Sequence, residues 1–362
     1  MTLEEKVGQL CCFGWHGRTA LDDQARFCVR ELHAGGMIVM GRNLHDTSQK
    51  PVPDIDAVAV RTMLDELQSL ARTPLLIATD QEGGRVARFG TVPFTRMPAA
   101  AALTTPEEAY QAAYQTAREL CCVGVNTNFA PVADINSNPA NPVIGDRSFG
   151  ATVREVVPFV EAQVRGYAAA GVLACLKHFP GHGDTATDSH LALPVLPHTL
   201  ETMQTRELLP FQAGITAGVP VVMTAHILFP ALDTEVPATM SHAILTGLLR
   251  QTLGFAGLIV TDCLEMKAVA ERWGTALAAL AAIKAGADMV LVCHTLERQQ
   301  ETYETLLAAA RSGELPTARL DEAVAHVRAA KANLSSLPFD PALLGGKRRE
   351  QSVTTLGADV PR

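Results

Sequence analysis

The sequence has no long basic run. Its one basic cluster, Lys347-Arg348-Arg349, stands beside a glycine pair, and the net charge is −8. Nucleic-acid binding, which needs a basic face or stripe, has little support. No apolar run is long enough to span a bilayer. The opening residues, Met1-Thr2-Leu3-Glu4-Glu5-Lys6, are charged where a secretory signal has an apolar core. No Cys-x-x-Cys pair occurs among the eight cysteines; Cys11-Cys12 and Cys121-Cys122 are adjacent, and Cys175 and Cys293 sit inside apolar runs. This pattern reads as buried free thiols in a reducing compartment, not as a disulfide framework. It predicts a cytoplasmic protein. Proline- or serine-rich linkers and low-complexity tracts are missing as well, so nothing divides the chain.

What is present is a large apolar fraction, 48% of 362 residues against 19% charged, enough for a sizeable core. Thr2-Leu3-Glu4-Glu5 has the spacing of a capping box and predicts a short opening helix. Eight short apolar runs follow: 10–13, 36–40, 75–79, 123–130, 172–176, 221–225, 258–261 and 289–293. Between them lie helix-favouring segments, several starting with a plausible cap such as Asp22, Thr105 before Pro106, or Ser241. Strands alternating with helices imply a parallel sheet, and unbroken apolar runs imply burial on both faces. Eight units favour a closed (β/α)8 TIM-type barrel, an α/β fold in one domain over residues 1–337, with helices near 296–312 and 317–334 packed outside. Residues 338–362, without periodicity, read as a mobile tail.

In such a barrel the active site lies at the C-terminal ends of the strands. Asp80 follows the third run, Asp134 the fourth, Lys177 and His178 the fifth, His226 the sixth, Asp262 the seventh and His294 the eighth. Polar groups thus converge on one rim. The densest stretch runs from Lys177 to His190, with three histidines, two aspartates and a lysine in fourteen residues. Titratable groups crowded at the end of a buried strand often mark a functional site.

Local chemistry leaves several roles open. Asp262 suits a nucleophile, a metal ligand or a helix cap, and with the other rim residues a catalytic role is favoured. Asp188-Ser189-His190 sets a carboxylate two residues from an imidazole, close enough in an extended segment to fix its tautomer and raise its basicity. Lys177 suits a Schiff base, a donor to sugar hydroxyls, or a partner for a rim carboxylate. The cluster His178, His182, Asp184, Asp188 and His190 invites a metal. However, the His-x-His that barrel metallohydrolases carry after the first strand is missing, so no metal or cofactor is expected. Asp80-Gln81-Glu82-Gly83-Gly84-Arg85-Val86-Ala87-Arg88 mixes acids and arginines around a glycine pair. It fits a phosphate loop poorly, but it can grip hydroxyls or form a rim ion pair.

Taken together, these segments resemble family 3 glycoside hydrolases that act as β-N-acetylglucosaminidases. The resemblance rests on Lys177-His178-Phe179-Pro180-Gly181-His182-Gly183 followed by Asp188-Ser189-His190. It extends to Asp80 through Arg85, Asn128 through Asp134, Val143 through Gly150, and Thr261-Asp262. It implies Asp262 as the nucleophile of a covalent glycosyl-enzyme, His190 as general acid/base and Asp188 as its orienting partner. It further implies Asp80, Arg88, Arg147, Lys177 and His178 as contacts to the terminal sugar, with Arg85 and Asp134 in support. Cys263 departs from relatives that carry a second acid or a small residue there. The implied reaction removes β-linked N-acetylglucosamine from peptidoglycan fragments, with a small carbohydrate as the only partner.

A histidine acid/base is unusual, since most glycosidases use two carboxylates. A neutral imidazole also repels an anionic acceptor less than a carboxylate does, so phosphate stands as an acceptor beside water. Other family 3 β-glycosidases, a phosphorylase and a metal-dependent barrel hydrolase are the competing readings. Cys263 reads as a packed thiol, because reactivity needs exposure and a depressed pKa. Gly181 and Gly183 read equally as hinges or static turns.

Overall fold

The computed structural model describes residues 1–186, 192–332, 334 and 338–346. Eight parallel strands close a barrel: β1 (Cys11–Phe13), β2 (Gly36–Val39), β3 (Leu76–Thr79), β4 (Thr127–Asn128), β5 (Leu173–Phe179), β6 (Val221–Thr224), β7 (Leu258–Cys263) and β8 (Met289–Val292). β8 closes on β1, with Cys11 opposite Val290. The expected (β/α)8 barrel is the observed fold.

Side chains alternate across each strand, so the apolar runs supply two layers. Cys12, Ile38, Cys175, Val260 and Leu291 fill the interior. Their neighbours Phe13, Val39, Leu176, Ile259 and Val292 pack outward against the helices. Burying each large apolar side chain contributes about 1.5–3 kcal/mol.

The principal helices are α1 (Leu3–Gln9), α2 (Asp23–Arg30), α3 (Ala57–Leu70), α4 (Pro106–Cys122), α5 (Val153–Ala169), α6 (Leu209–Thr216), α7 (Thr275–Ala285), α8 (Leu296–Ser312) and α9 (Thr317–Ala332). α1 opens with the expected capping box: Glu5 N–H donates to Thr2 Oγ1 at 3.2 Å, and Thr2 N–H donates to Glu5 Oε2 at 2.9 Å. Among the described residues no helix is long and apolar enough to cross a membrane.

Three boundaries differ from expectation. The fourth run, 123–130, keeps only two strand residues. Val123 caps α4, Gly124 turns with a positive φ of 92°, and Pro131 has no N–H for the ladder. Conversely, the fifth and seventh strands run further, so Lys177, His178 and Asp262 lie inside β5 and β7 instead of after them. Residues 338–346, expected as the start of a mobile tail, pack on the barrel. Gly345 N–H donates to Glu119 Oε1 and Gly346 N–H to Pro93 O, both at 2.9 Å, while Phe339 and Leu344 rest on the core. The rest of that expected tail lies outside the described residues.

Candidate active site

Past β3 the chain folds into a small hairpin, Gln81–Gly83 against Val86–Ala87. Gln81 fixes it. Its N–H donates to Asn128 Oδ1 at 2.9 Å, and its side-chain amide exchanges hydrogen bonds with the Phe89 backbone. Residues two apart in extended chain share a side, so Asp80 and Glu82 both meet Lys177. The Lys177 Nζ lies 2.9 Å from Asp80 Oδ1 and 2.6 Å from Glu82 Oε1. Arg147 grips Glu82 with two hydrogen bonds, at 2.8 and 2.9 Å, and Arg88 approaches Asp80 at 3.4 Å.

Sequence reasoning passed over Glu82. The Asp80-x-Glu82 spacing was the available signal, but it depends on an extended backbone that the flanking glycines obscured.

Burial pushes the carboxyls of Asp80 and Glu82 up. Lys177 together with Arg88 at Asp80, and with Arg147 at Glu82, outweighs this, so both are held below the ordinary carboxylate range. Burial likewise pushes the Lys177 amine down, and the two acids raise it above its usual value. An amine held as ammonium is a poor nucleophile. Of the three roles open to Lys177, the Schiff base is therefore disfavoured, and pairing with rim carboxylates is observed.

The next layer is set by Asp134, which is fully buried. It receives the His182 N–H at 2.7 Å and the His178 N–H at 3.1 Å, and it sits 2.8 Å from His178 Nδ1. A carboxylate accepts only, so Nδ1 carries the proton and Nε2 faces the cleft, 3.5 Å from Arg147. Arg85 supports the neighbouring turn, bonding Asp146 at 2.8 Å and the Ile144 carbonyl at 3.0 Å. Gly183 passes so close to the Ile135 carbonyl that an added Cβ would lie 1.7 Å from it, and a Cβ on Gly181 would lie 2.9 Å from Glu207. Gly183 is required by packing and Gly181 by its positive φ of 137°, which favours the static-turn reading.

Asp262 stands near the end of β7, half-buried. Its Oδ1 accepts the Cys263 N–H at 2.7 Å. Burial pushes this carboxyl up; the imidazoles of His226 and His178, then the Cys263 N–H and Lys177, bring it below its usual value. His226 stands behind it, with Nε2 3.0 Å from the Cys263 carbonyl and Nδ1 2.7 Å from Thr239.

The cleft has two lobes. A polar lobe of about 300 Å³ contains Glu82, Arg147, Lys177 and His178. An apolar one of about 360 Å³ contains Ile38, Phe129, Leu291 and Cys263. Asp80, Arg88, Met223 and Asp262 line both. The structure thus brings together Asp80, Arg88, Arg147, Lys177, His178 and Asp262. Asp188 and His190 lie outside the described residues.

Of the described members of the histidine-rich loop, His178 and His182 do not converge on a metal site, whereas ligand atoms of Asp184, His198 and Glu207 lie within 4.8 Å of one another. The His178 and His182 rings meet edge to face at 5.6 Å, while Asp184 pairs with Arg206 at 2.8 Å. Elsewhere, ligand atoms of Cys263, Glu265 and His294 lie within 4.8 Å of one another. They are already engaged. Glu265 accepts the N–H groups of His294 and Thr295, and Arg42 lies 3.1 Å from His294 Nδ1.

The C-terminal rim of the barrel, where such folds carry their sites, thus joins an ionised carboxylate to a cluster of paired charges. The chain belongs to glycosyl hydrolase family 3, residues 2–330 matching its N-terminal domain. It is 36% identical to β-hexosaminidase A of Pseudoalteromonas piscicida over 94% of this chain and 61% of that protein. It is 41% identical to a β-hexosaminidase of Methylococcus capsulatus over 75% of this chain and 79% of the other. A family 3 β-N-acetylglucosaminidase from Paenibacillus sp. superposes with a TM-score of 0.87 at 43% identity, covering 99% of this chain and 66% of that one. The chain therefore spans less than two thirds of the Pseudoalteromonas relative's length.

Proposed function

We propose that the protein is a retaining β-N-acetylglucosaminidase, acting in the cytoplasm on cell-wall fragments with terminal β-linked N-acetylglucosamine. The observation that carries this reading is the position of Asp262, an ionised carboxylate at the junction of a polar and an apolar lobe. The polar lobe suits a sugar ring. Carboxylates of Asp80 and Glu82 accept from hydroxyls, Arg88, Arg147 and Lys177 donate to them, and His178 Nε2 accepts. The names of the relatives favour the N-acetylhexosamine, and free buried thiols favour a reducing compartment.

In the first step an Asp262 oxygen bonds to the anomeric carbon as the glycosidic C–O bond breaks. The resemblance assigns His190 to protonate the departing oxygen, and Asp188 to orient it. In the second step His190 takes a proton from water, whose oxygen displaces Asp262. Two displacements return the original β configuration.

The test is hydrolysis of 4-nitrophenyl β-N-acetylglucosaminide by wild type, Asp262→Asn and His190→Ala, with EDTA present and the first-formed anomer read by NMR. The reading expects turnover by wild type alone, giving the β anomer. Full activity in Asp262→Asn removes the nucleophile. Activity only on other sugars, or only with added metal, replaces the substrate or the chemistry.

A further inference from the structure

The chain beyond β5 carries a charge cluster that neither the sugar contacts nor the nucleophile account for. Asp184 and His198 stand on its outgoing and returning legs, and the sequence between them contains Asp188 and His190. Both meet Arg206, which lies in a π-helical turn, Met203–Glu207, ahead of α6. Arg206 Nη2 donates to Asp184 Oδ2 at 2.8 Å and to His198 Nε2 at 3.2 Å. Its Nε donates to Glu207 Oε1 at 2.5 Å. Burial, then Arg206, hold the His198 imidazole below its usual range against Asp184, so its Nε2 is the acceptor. One guanidinium nitrogen thus joins the two legs.

The guanidinium is itself anchored. The Glu207 side chain is 1% exposed, and it packs against Gly181 at the start of the outgoing leg. Other bonds hold each leg to a separate neighbour. Asn141 Nδ2 donates to the His182 carbonyl at 2.9 Å, and the Leu196 N–H donates to the Leu228 carbonyl at 2.9 Å. Among these contacts Arg206 alone touches both legs. Ligand-type atoms of Asp184, His198 and Glu207 converge there, and Arg206 supplies the positive charge they face. A planar fork directs Nε and Nη2 to different partners, which the point charge of a lysine does not reproduce.

We propose that Arg206 is a positioning residue for the acid/base step, tying Asp184 to His198 and so setting where the chain between them presents His190 to the glycosidic oxygen. This rests on the reading of His190 as the acid/base. Fixing both ends of a loop restricts every residue between them. A displacement of about 1 Å at a catalytic group costs on the order of a hundred-fold in rate.

The test compares two β-N-acetylglucosaminides that differ in leaving group. The 2,4-dinitrophenyl glycoside departs without a proton, whereas N,N′-diacetylchitobiose needs one. The variants are Arg206→Met and Asp184→Asn, with His190→Ala as reference. Asp184→Asn keeps the buried Arg206–Glu207 pair, so it reports even if Arg206→Met folds poorly. For both variants kcat/KM on the disaccharide should fall roughly a hundred-fold, and on the dinitrophenyl glycoside far less, as for His190→Ala. The double variant should match Arg206→Met, because both changes break one contact. An equal fall on both sugars, or no fall on the disaccharide, overturns the proposal. A split in the Arg206 and Asp184 variants without one in His190→Ala overturns His190 as the group positioned. Amide hydrogen exchange over residues 185–197 reads the tie without any substrate. It should be faster in both variants than in wild type, and equal rates overturn the proposal. Faster exchange with no wild-type turnover of either sugar overturns the glycosidase reading and the acid/base role with it, while the tie between the legs stands.

Discussion

Asp134 Oδ2 lies 2.8 Å from His178 Nδ1, while the same carboxylate takes the His182 N–H at 2.7 Å. One buried acid thus sets the tautomer of a cleft histidine and fixes the start of the loop beyond β5. Asp134→Asn should turn an amide N–H toward His178 Nδ1–H, leaving one donor unpaired at a cost of about 1–3 kcal/mol. The expected outcome is a fall in kcat/KM of roughly ten- to a hundred-fold, read by steady-state kinetics on the chromogenic sugar.

Glu82 meets both Lys177 and Arg147, and its side chain and that of Lys177 are almost wholly buried, at 5% and 3% exposure. Removing one partner of a buried ion pair costs about 3–5 kcal/mol, because the other charge remains. Glu82→Gln should lower stability by about that amount in urea unfolding and raise KM. Unchanged stability would mean that Asp80 alone satisfies both cations.

At the opposite end of the barrel, Lys331 is buried with its Nζ 2.5 Å from Gln9 Oε1, and burial pushes its amine down to about 7. The unfolded chain holds that proton to about pH 10.4. Between these values the unfolded state binds more protons, so this group's contribution to stability rises with pH across that window. Lys331→Met should therefore gain most over wild type at pH 7 and below. The advantage should shrink toward pH 10. Melting temperatures of both proteins across this range check the sign.

Gly183→Ala places a Cβ against the Ile135 carbonyl, a backbone atom that cannot swing aside. Shifting the loop should cost about 1–3 kcal/mol of stability and lower kcat more than KM changes. If Gly183 were merely a flexible hinge, alanine would leave the melting temperature unchanged.

The barrel was legible because most strands lie in or begin with a short apolar run, a signal contained in a few consecutive residues. β4 was the weakest case. Its apolar run continues through Val123 and Ala130, but a helix cap at one end and Pro131 at the other leave only Thr127–Asn128 as strand. Asp80, Lys177, His178 and Asp262 were legible as candidates because polar groups at strand ends stand out, whereas Arg88 and Arg147, in the hairpin segment and the 145–147 turn, were implied only by the resemblance. Glu82 was not. The partners that define it, Lys177 and Arg147, come from distant parts of the sequence.

The barrel wall is thinnest at β4, with two strand residues, and the contacts of Lys177 straddle that gap, tying the hairpin after β3 to β5. The charges that would hold the sugar therefore also close the weakest seam of the barrel. Sugar preference and barrel integrity share atoms on this side of the cleft, so neither can be re-engineered alone. The apolar lobe, away from that seam, is where substrate range can change without loosening the fold.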